Sequence, residues 1–406
     1  MTQPVYDLAI IGGGIAGAGI ARDAALRGLK VILFEKNTFG SGTSSKSSKL
    51  IHGGIRYLDL AWVAFKKGDF SESWKNFSFV FSSLKETHAL ARIAPDLVRP
   101  IPLLAPIYKK EGRGPLAIYA GTLLYSFLAA LSGSRNFPRL LLSAKAVQRE
   151  IPDLQTEDLA GGVLFWDHTT DDRSLVRETM RSAERHGAVA LEHACVTGYS
   201  RDEAKKTYEI KIQTEREQKN YIARKLINAT GAWIDRVRAL GGAAGENWVV
   251  PVSGCHITLK KFIPQSLVLQ ASDDRVFFVI NIGDKARVGT TERLENNPDH
   301  VEATDQEIEY LLRALDRYFP SKKFTRKDIL STDAGIRPLA KPGDSVSLNS
   351  ISREHEIRTD SLGVLHILGV KLTDHRRAAE QIVNTLVPYY PHIQKKSTTS
   401  STSLKS

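Results

Sequence analysis

The N-terminal part of the chain alternates apolar runs with glycine-rich and polar turns. Residues 6–11 form an apolar run, glycines and small residues fill positions 12–19, and apolar residues at helical spacing continue to Arg27. A second apolar run occupies residues 30–34. A strand, a tight turn, a helix and a further strand in this order predict a βαβ unit with parallel strands.

Later segments keep this alternation and then become rich in strands. The pattern predicts a helix over 171–187, a strand over 188–199 and a hairpin over 208–227. Segments between 249 and 290 are β-rich and separated by Pro, Gly and Asp, which predicts an antiparallel sheet. Residues 304–319 then carry apolar side chains at helical spacing. This order indicates a dinucleotide-type fold interrupted by a second domain.

We therefore predict an α/β fold, α+β overall, in which the chain passes between two domains. The expected nucleotide-binding domain is discontinuous and comprises residues 1–62, 143–248 and 331–390. The expected substrate domain, a β-sheet with helices, comprises residues 63–142 and 249–330. The tail, 391–406, is mostly Ser, Thr and Lys, and we expect it to be disordered.

The turn after the first predicted strand has the Gly-x-Gly-x-x-Gly spacing of a dinucleotide site. Gly12 permits the tight turn, Gly14 lets a pyrophosphate approach the backbone, and Gly17 lets the helix pack closely on the strand. Glu35 ends the second strand, roughly 20 residues after the glycine-rich turn. An acid at this distance can bind an unphosphorylated ribose. The alternative is a glycine-rich hairpin, which would not require Glu35.

Composition narrows the class of protein. The chain has 406 residues, 42% of them hydrophobic and 25% charged, as in an ordinary globular protein. Its net charge of +11 is spread over lysine pairs such as Lys66 and Lys67. A scattered excess suits an anionic small substrate or an anionic membrane surface better than a nucleic-acid groove, and we expect no nucleic-acid partner. Cys195 and Cys255 provide no disulfide framework and no cysteine-rich metal site, and we expect no metal.

One segment and the N-terminus bear on location. Residues 115–131 are the most apolar stretch but fall short of the roughly 20 residues that span a bilayer. They favour a helix that is buried or lies at an interface over a membrane span. The first predicted strand begins close to the N-terminus, and we therefore expect no signal or transit peptide. We expect a cytoplasmic protein with possible peripheral contact with the cytoplasmic face of the membrane.

Six motifs together carry a family resemblance. They are IIGGGIAGAGIARDAALRGLKVILFEK near the N-terminus, TSSKSSKLIHGGIRYL from Thr43, Asp171 with Asp172, NATGAW from Asn228, GTTE from Gly289 and GIRPL from Gly335. With them the chain resembles FAD-dependent glycerol-3-phosphate dehydrogenases of the aerobic, quinone-linked type. The resemblance implies an FAD-binding domain of the glutathione-reductase and D-amino-acid-oxidase type. It also implies FAD as cofactor, bound covalently or not, and a homodimer as a candidate assembly.

The resemblance assigns cofactor contacts to small and hydroxyl residues, several of which could serve only as turn residues. These positions are Gly12, Gly14, Gly17, Glu35, Thr43, Ser44, Ser45, Ser48, Lys49, Leu50, Gly53, Val196, Gly231, Gly369 and Leu372.

The resemblance also implies a substrate pocket. Oxidation of a secondary alcohol needs a base for the hydroxyl proton, and a phosphate needs fixed cations. His256 matches the expected base, while Arg56, Arg337 and Lys371 match cations of the pocket. Tyr57 and Thr290 match further substrate contacts. The alternatives are a structural histidine in a strand, solvated surface arginines and a tyrosine that only packs.

The closing motif departs from the family pattern. The family reads Gly-Gly-Lys-Leu-Thr-Thr-Tyr-Arg, whereas this chain has Val370 in place of the second glycine and Asp374 in place of a hydroxyl residue. We expect Val370 to change the position or affinity of the flavin ring. We expect Asp374 either to pair with Lys371 or to weaken phosphate binding. The family commonly has a helical C-terminal domain, and we expect this sequence to lack it, either because it was lost or because it was trimmed.

The leading hypothesis is oxidation of sn-glycerol 3-phosphate to dihydroxyacetone phosphate, with the electrons passed to a membrane quinone. One alternative is an oxidase or dehydrogenase of another hydroxy acid or an amine, which would use oxygen. Another is an inactive flavin-binding relative, for which Val370 and Asp374 are the motivating residues.

Overall fold

The computed structural model describes residues 4–109, 114–243, 245–341 and 355–406. Parts of the predicted segments, including 342–354, lie outside the described residues. The strands within the described residues are, in chain order, β1 (Val5–Ile11), β2 (Val31–Phe34), β3 (Leu50–Ile51), β4 (Val98–Tyr108), β5 (Arg139–Leu141), β6 (Leu159–Thr170), β7 (Val189–Leu191), β8 (Cys195–Asp202), β9 (Thr207–Gln213), β10 (Gln218–Asn228), β11 (Val249–Lys260), β12 (Ser266–Gln270), β13 (Val276–Ile282), β14 (Lys285–Gly289), β15 (Arg293–Leu294), β16 (Ile329–Ala340), β17 (Glu356–Thr359) and β18 (Leu365–Leu368).

The helices lie between these strands and cover their faces. In the same part of the chain they are α1 (Ile15–Leu26), α2 (Arg56–Lys66), α3 (Phe70–Ile93), α4 (Pro115–Leu131), α5 (Ala144–Glu150), α6 (Asp172–Arg185), α7 (Ile234–Leu240), α8 (Asp305–Tyr318) and α9 (His375–Asn384).

The first sheet contains the predicted βαβ unit. Its strands run in the order β17, β18, β10, β1, β2, β7, and β8 and β9 extend it from β10. Strand β1 pairs in parallel with both β10 and β2, so the carboxyl ends of these three strands meet at one edge. Helix α1 packs against α6 and α9 on one face of this sheet. This parallel core confirms the predicted α/β class.

The second sheet is mostly antiparallel and is built around long strands. Its order is β15, β11, β14, β13, β12, β4, β6, β3, with β16 paired to β11 and β5 to β6. Helix α8 buries Leu311, Leu312 and Leu315 in the core cluster that also contains Ile257 and Val288 of the sheet. The amphipathic helix predicted over 304–319 and the antiparallel strands predicted over 249–290 are therefore present as one packed unit.

The division between the two domains differs from the predicted boundaries. Strand β6 lies within the segment 143–248 assigned to the nucleotide-binding domain, yet it pairs with β4 of the second sheet. Strand β16 lies largely within the segment 331–390 and pairs with β11. An apolar strand does not reveal which sheet it joins, because the pairing partner is set by tertiary packing. The chain therefore enters the second sheet at β3 and leaves it after β6. It enters this sheet again at β11 and leaves it after β16.

The tail at 391–406 packs against the first domain, which corrects the expectation of disorder. Ile393 and Leu404 are buried in the main core cluster. The guanidinium of Arg22 donates to the carbonyl oxygens of Thr399 at 3.2 Å and Thr402 at 2.6 Å. The polar composition suggested disorder, but oxygen atoms of the tail accept hydrogen bonds from two buried arginines. These are Arg22 of α1 and Arg376 of α9.

Helix α4 coincides with the apolar segment predicted over 115–131. Its buried face includes Tyr119, Thr122, Tyr125 and Ser126, whereas most of its large apolar residues are exposed. Within the described residues, no helix has both the length and the apolar character required to cross a bilayer.

Candidate active site

A cavity of about 250 Å³ lies at the carboxyl ends of β1, β2 and β10. In a parallel sheet this edge is where ligands bind, because loops and helix N-termini converge there. Its walls include the turn from β1 into α1, the segment 40–44, the end of β10 and the loop after β18. We call this space the cofactor cavity.

Glycines shape the turn at this cavity. Gly12 has φ +107°, and a Cβ atom there would lie 2.8 Å from the carbonyl oxygen of Ala229. A Cβ atom on Gly17 would lie 1.9 Å from the carbonyl oxygen of Gly12. Gly14 is the N-cap of α1, and it lines the cavity together with Ile15 and Ala16, so the positive end of the helix faces the cavity. This backbone fits the pyrophosphate of a dinucleotide.

Glu35 stands at the end of β2 as the sequence predicts. One carboxylate oxygen accepts a hydrogen bond from the Gly13 amide at 2.7 Å, and the other accepts from the Asn37 amide at 2.8 Å. The side chain also lines the cavity. A carboxylate oxygen has further lone pairs, so Glu35 can hold the turn and accept from ribose hydroxyls at the same time.

The structure brings only some of the predicted cofactor positions to this cavity. Its walls include Gly12, Gly14, Glu35, Thr43, Ser44, Val196, Gly231 and Gly369.

The other predicted positions have different neighbours. Ser45 donates to the carbonyl oxygen of Gly42 at 3.2 Å, and Lys49 pairs with Asp172. Leu50 is buried in a core cluster, and Leu372 packs against another. Gly17 acts in packing, while Ser48 and Gly53 contact side chains of the second sheet and α4. Their roles as cofactor contacts stay predictions.

A group of charged residues at the cavity wall was not predicted from the sequence. Asp299 accepts hydrogen bonds from Lys36 at 2.9 Å, from the Trp233 indole at 2.7 Å and from Arg236. These bonds, led by the one from Lys36, lower the pKa of Asp299 below its usual value. Lys36, Trp233 and Arg236 line the cavity, so Asp299 fixes part of its wall. No local motif marks Asp299, because its partners are distant in the chain.

His256 lies in β11 and is buried. Its Nε2 is 2.9 Å from the Ser48 hydroxyl, and its Nδ1 is 3.9 Å from Asp333 of the neighbouring strand β16. The two terminal nitrogens of Arg287 donate hydrogen bonds to the Asp333 carboxylate, at 2.5 and 2.7 Å. Burial, followed by the charges of Arg287, Arg337 and Lys49, lowers the pKa of His256 well below 6.5. The ring is therefore neutral near pH 7 and able to accept a proton.

Asp333 and Arg287 were not among the predicted site residues. They reach His256 only because β11 pairs with β14 on one side and with β16 on the other. The sequence contains one signal that could have predicted this pair. Arg287 and Asp333 are charged residues within strands that also carry apolar residues, and a buried charge needs a partner of opposite charge.

The other predicted substrate residues form two contacts. Arg337 donates to the Thr290 hydroxyl at 3.0 Å and lies 3.7 Å from Glu292. Lys371 donates to the Tyr57 hydroxyl at 3.3 Å, and its ammonium lies 4.2 Å from the centre of the Phe79 ring. Arg56 is exposed at the start of α2, next to Tyr57. We call the six predicted residues the substrate group: Arg56, Tyr57, His256, Thr290, Arg337 and Lys371.

The two departures from the family pattern have different surroundings. Val370 lines the cofactor cavity and packs against the main core cluster. Asp374 is buried and pairs with His355 at 2.5 Å and Arg377 at 3.6 Å. The Asp374 carboxylate therefore pairs with His355 and with Arg377 of α9, which corrects the expectation that it pairs with Lys371. Val370 is the departure that borders the predicted cofactor.

Comparison with known proteins places most of the chain among FAD-dependent oxidoreductases. The model of the family described as FAD dependent oxidoreductase matches residues 7–371. An aerobic glycerol-3-phosphate dehydrogenase of Bacillus subtilis is 34% identical over 390 residues, which cover 95% of this chain and 67% of that relative. A protein of the same name from Staphylococcus aureus is 35% identical over 386 residues, with 93% and 66% covered. The chain thus spans about two thirds of the length of these relatives.

Solved structures agree with the fold. A glycerol-3-phosphate dehydrogenase of Bacillus halodurans, complexed with FAD, superposes with a TM-score of 0.77 at 27% identity. The match covers 99% of this chain and 68% of that one. An L-alpha-glycerophosphate oxidase of Mycoplasma pneumoniae with FAD bound has a TM-score of 0.68 at 15% identity, and shows likeness of fold alone.

Proposed function

The chain belongs to the FAD-dependent oxidoreductase family and, within it, to the glycerol-3-phosphate dehydrogenases, and from that premise we propose that it oxidises sn-glycerol 3-phosphate to dihydroxyacetone phosphate. The cofactor is FAD. The observation that carries the substrate proposal is the combination of a buried neutral histidine with arginine and lysine side chains from both domains.

The cofactor cavity supports FAD through its backbone. The turn at Gly12, Gly14 and the N-terminus of α1 would hold the pyrophosphate, and Glu35 would bind the ribose of the adenosine. Thr43, Ser44 and Gly369 would offer small or hydroxyl contacts along the wall. When bound, FAD supplies the acceptor for the hydride of the carbinol carbon.

His256 is the proposed base for the hydroxyl proton. Its lowered pKa keeps it unprotonated at neutral pH. When Nε2 carries the ring proton and donates it to the Ser48 hydroxyl, which is 2.9 Å away, Nδ1 keeps the lone pair that would take the hydroxyl proton. Among the described residues, Nδ1 has no hydrogen-bond partner. The Asp333 carboxylate, 3.9 Å from Nδ1, would stabilise the positive charge of the imidazolium formed after proton transfer.

The cations of the substrate group would bind the phosphate. Arginine presents a planar fork that matches phosphate oxygens, and Lys371 adds a point charge. Thr290 and Tyr57 hold Arg337 and Lys371 in place before the substrate arrives. Preorganisation of this kind lowers the entropic cost of binding a small anion.

Electrons from the flavin are proposed to reach a membrane quinone at an apolar surface of the second domain. The α2–α4 apolar face consists of the exposed residues Leu60, Trp62, Phe65, Phe70, Trp74, Leu116, Leu123, Leu124, Phe127 and Leu131. Helices α2, α3 and α4 contact one another, so these residues belong to neighbouring helices. The exposed Lys66, Lys67 and Lys75 lie within or beside α2 and α3. Aromatic and apolar residues beside lysines match an anionic bilayer surface.

Anaerobic reduction of the bound flavin tests the substrate proposal. We expect sn-glycerol 3-phosphate to bleach the flavin absorbance within seconds to minutes, whereas glycerol at the same concentration, which lacks the phosphate, bleaches it at least about 100-fold more slowly. Bleaching by another hydroxy acid or an amine, with none by glycerol 3-phosphate, would overturn the assignment.

Sedimentation with vesicles tests the membrane contact. We expect the protein to sediment with vesicles rich in phosphatidylserine at low salt and to be released at high salt. Trp62→Ser with Phe127→Ser should weaken binding about tenfold or more, because two large apolar side chains are lost. Leu330→Ser, at an exposed apolar residue of β16, is the matched control. A concentration-dependent dimer without vesicle binding would assign the face to a second copy instead.

A further inference from the structure

The turn that leads to Arg56 is held from two sides. On one side the Thr373 hydroxyl accepts a hydrogen bond from the His52 amide at 3.2 Å. On the other side the Gly53 amide donates to the Tyr125 hydroxyl at 2.9 Å and to the Asp167 carboxylate at 3.3 Å. Arg56 begins α2 three residues after Gly53, so these contacts fix where its backbone starts.

Tyr125 and Asp167 form a buried pair beneath this turn. The Tyr125 hydroxyl donates to the same carboxylate oxygen, Oδ1, at 2.8 Å. Tyr125 is fully buried and Asp167 is 4% exposed. Burying a carboxyl group and a phenol in an apolar cluster costs free energy unless their hydrogen bonds are made. The Gly53 amide is thus the group from the turn that satisfies this pair.

Space around Gly53 makes the arrangement specific. A Cβ atom there would lie 2.5 Å from Leu84 and 2.7 Å from the Tyr125 hydroxyl. The backbone therefore comes close enough to bond Tyr125 only because residue 53 is glycine. The next residue, Gly54, has φ +75°, which turns the chain toward Ile55 and Arg56.

We propose that Tyr125 and Asp167 are positioning residues for substrate binding, which fix the turn at Gly53 and thereby place Arg56 toward the substrate phosphate. This inference deepens the proposed function and rests on it for the role of Arg56. Neither residue touches substrate in this scheme. Tyr125 lies on the buried side of α4, so the helix that carries much of the α2–α4 apolar face also supports the substrate turn.

The protonation state of Asp167 adds a second observable. Burial raises its pKa to about 7, against the opposing hydrogen bonds of Tyr125 and Gly53. The other titratable groups nearby are His168, the next residue of β6, and His88 of α3, whose ring lies 5.4 Å from that of His168. Burial, followed by the charge of His88, lowers the pKa of His168 to about 4, and burial lowers the pKa of His88. These shifts favour the neutral form of both histidines near pH 7, whereas the pKa of Asp167 itself lies near 7.

The ionised carboxylate accepts stronger hydrogen bonds than the neutral acid does. The turn is therefore held more firmly above pH 7 than below it. The amide of Asp167→Asn resembles the neutral acid at every pH. The difference in phosphate affinity between wild type and Asp167→Asn should consequently be small at pH 6 and large at pH 8.

The test uses the FAD-loaded protein of 406 residues and inorganic phosphate as the probe, measured by calorimetry. We expect Tyr125→Phe and Asp167→Asn to weaken phosphate binding about five- to tenfold at pH 8, with FAD content unchanged. The matched control is Tyr119→Phe on the same helix, whose hydroxyl donates to the Leu141 carbonyl at 3.0 Å, and it should stay within about twofold. The ratio of dissociation constants for Asp167→Asn and wild type should fall below about two at pH 6.

Hydrogen exchange of the segment 51–57 gives an independent readout. At equal pH, the Gly53 amide should exchange faster in Tyr125→Phe than in wild type, and at the wild-type rate in Tyr119→Phe. Unchanged phosphate affinity in both test variants would overturn the proposal, whether or not exchange accelerates. A pH-independent ratio for Asp167→Asn would also overturn it. Because neither readout needs turnover, a wild-type protein that glycerol 3-phosphate does not reduce would refute the proposed function alone.

Discussion

Backbone atoms shape much of the cofactor cavity, whereas side chains from both domains make the substrate group. At Gly12 and Gly17 the chain has no room for even a Cβ atom, and both constraints come from residues of one βαβ unit or its neighbouring strand. His256, Arg337 and Lys371 instead depend on Ser48, Thr290 and Tyr57 respectively, and the two members of each pair are distant in the chain. We therefore expect a single substitution in the turn to disrupt FAD binding as a whole. A substitution in the substrate group should remove only the contribution of that residue.

The largest effect is expected at the backbone turn. Gly17→Ala places a Cβ atom 1.9 Å from the Gly12 carbonyl, so α1 must move away from β1. We expect FAD content to fall at least about tenfold, or the protein to misfold, because the same turn holds the pyrophosphate. The control is Gly121→Ala in α4, where a Cβ atom meets nothing within 4 Å and should leave FAD content unchanged. Normal FAD content in Gly17→Ala would refute the contrast between the two regions.

His256→Gln should lower the rate of flavin reduction by about 100- to 10,000-fold while FAD content stays the same. His392→Gln, at an exposed histidine, is the control. Because the pKa of His256 is lowered, the wild-type rate at saturating substrate should stay level as pH falls through 6.5, and decline only at lower pH. A decline centred at 6.5 would mean that the base is a histidine with an ordinary pKa. A loss of FAD in His256→Gln would show that the two regions are not separable.

Local sequence was sufficient to predict the cavity and insufficient for the substrate group, and the reason is physical. The turn at Gly12 needs only a strand, glycines and a helix in succession, which one segment of sequence contains. The surroundings of His256 depend on the register that pairs it with Asp333 and brings Arg287 alongside, and a single sequence does not fix that register. The roles of the substrate group in particular came from the family resemblance.

The same reasoning explains the errors in domain organisation. Strand β6 is an apolar run like any other, and only its pairing with β4 places it in the second sheet. The tail at 391–406 lacks the apolar content of a core segment, yet Arg22 and Arg376 supply buried donors for its carbonyls and hydroxyls. The composition of a segment indicates how much apolar surface it can bury. It does not indicate which groups elsewhere in the chain will form hydrogen bonds with its polar atoms.

Arg337→Lys should raise the KM for glycerol 3-phosphate about tenfold and change kcat little, since a lysine keeps the charge but loses the planar fork. It also loses the hydrogen bond to Thr290 at 3.0 Å. Arg313→Lys, at an exposed position of α8, should leave KM unchanged. Steady-state kinetics with a quinone analogue measures both parameters. An equal fall in kcat and kcat/KM would instead place Arg337 in stabilisation of the transition state.

The smallest effect on activity is expected at Asp374, although it departs from the family pattern. Asp374→Thr should change the KM for glycerol 3-phosphate less than about twofold, because its carboxylate pairs with His355 and Arg377. Stability should respond more strongly. Burial disfavours the charged form of His355, but the hydrogen bond and charge of Asp374 outweigh this, and the pKa of His355 is raised above 6.5.

A raised histidine pKa stabilises the folded state fully below the unfolded value, and this stabilisation is lost as pH rises through the folded value. The cost of Asp374→Thr, about 1 to 3 kcal/mol for a buried hydrogen bond to a charged group, should therefore be greater at pH 6 than at pH 9. Thermal unfolding at the two pH values measures it, with Asp316→Thr on the exposed side of α8 as the control. A KM that rises tenfold with no such pH dependence would show that Asp374 acts on the substrate group and not on His355.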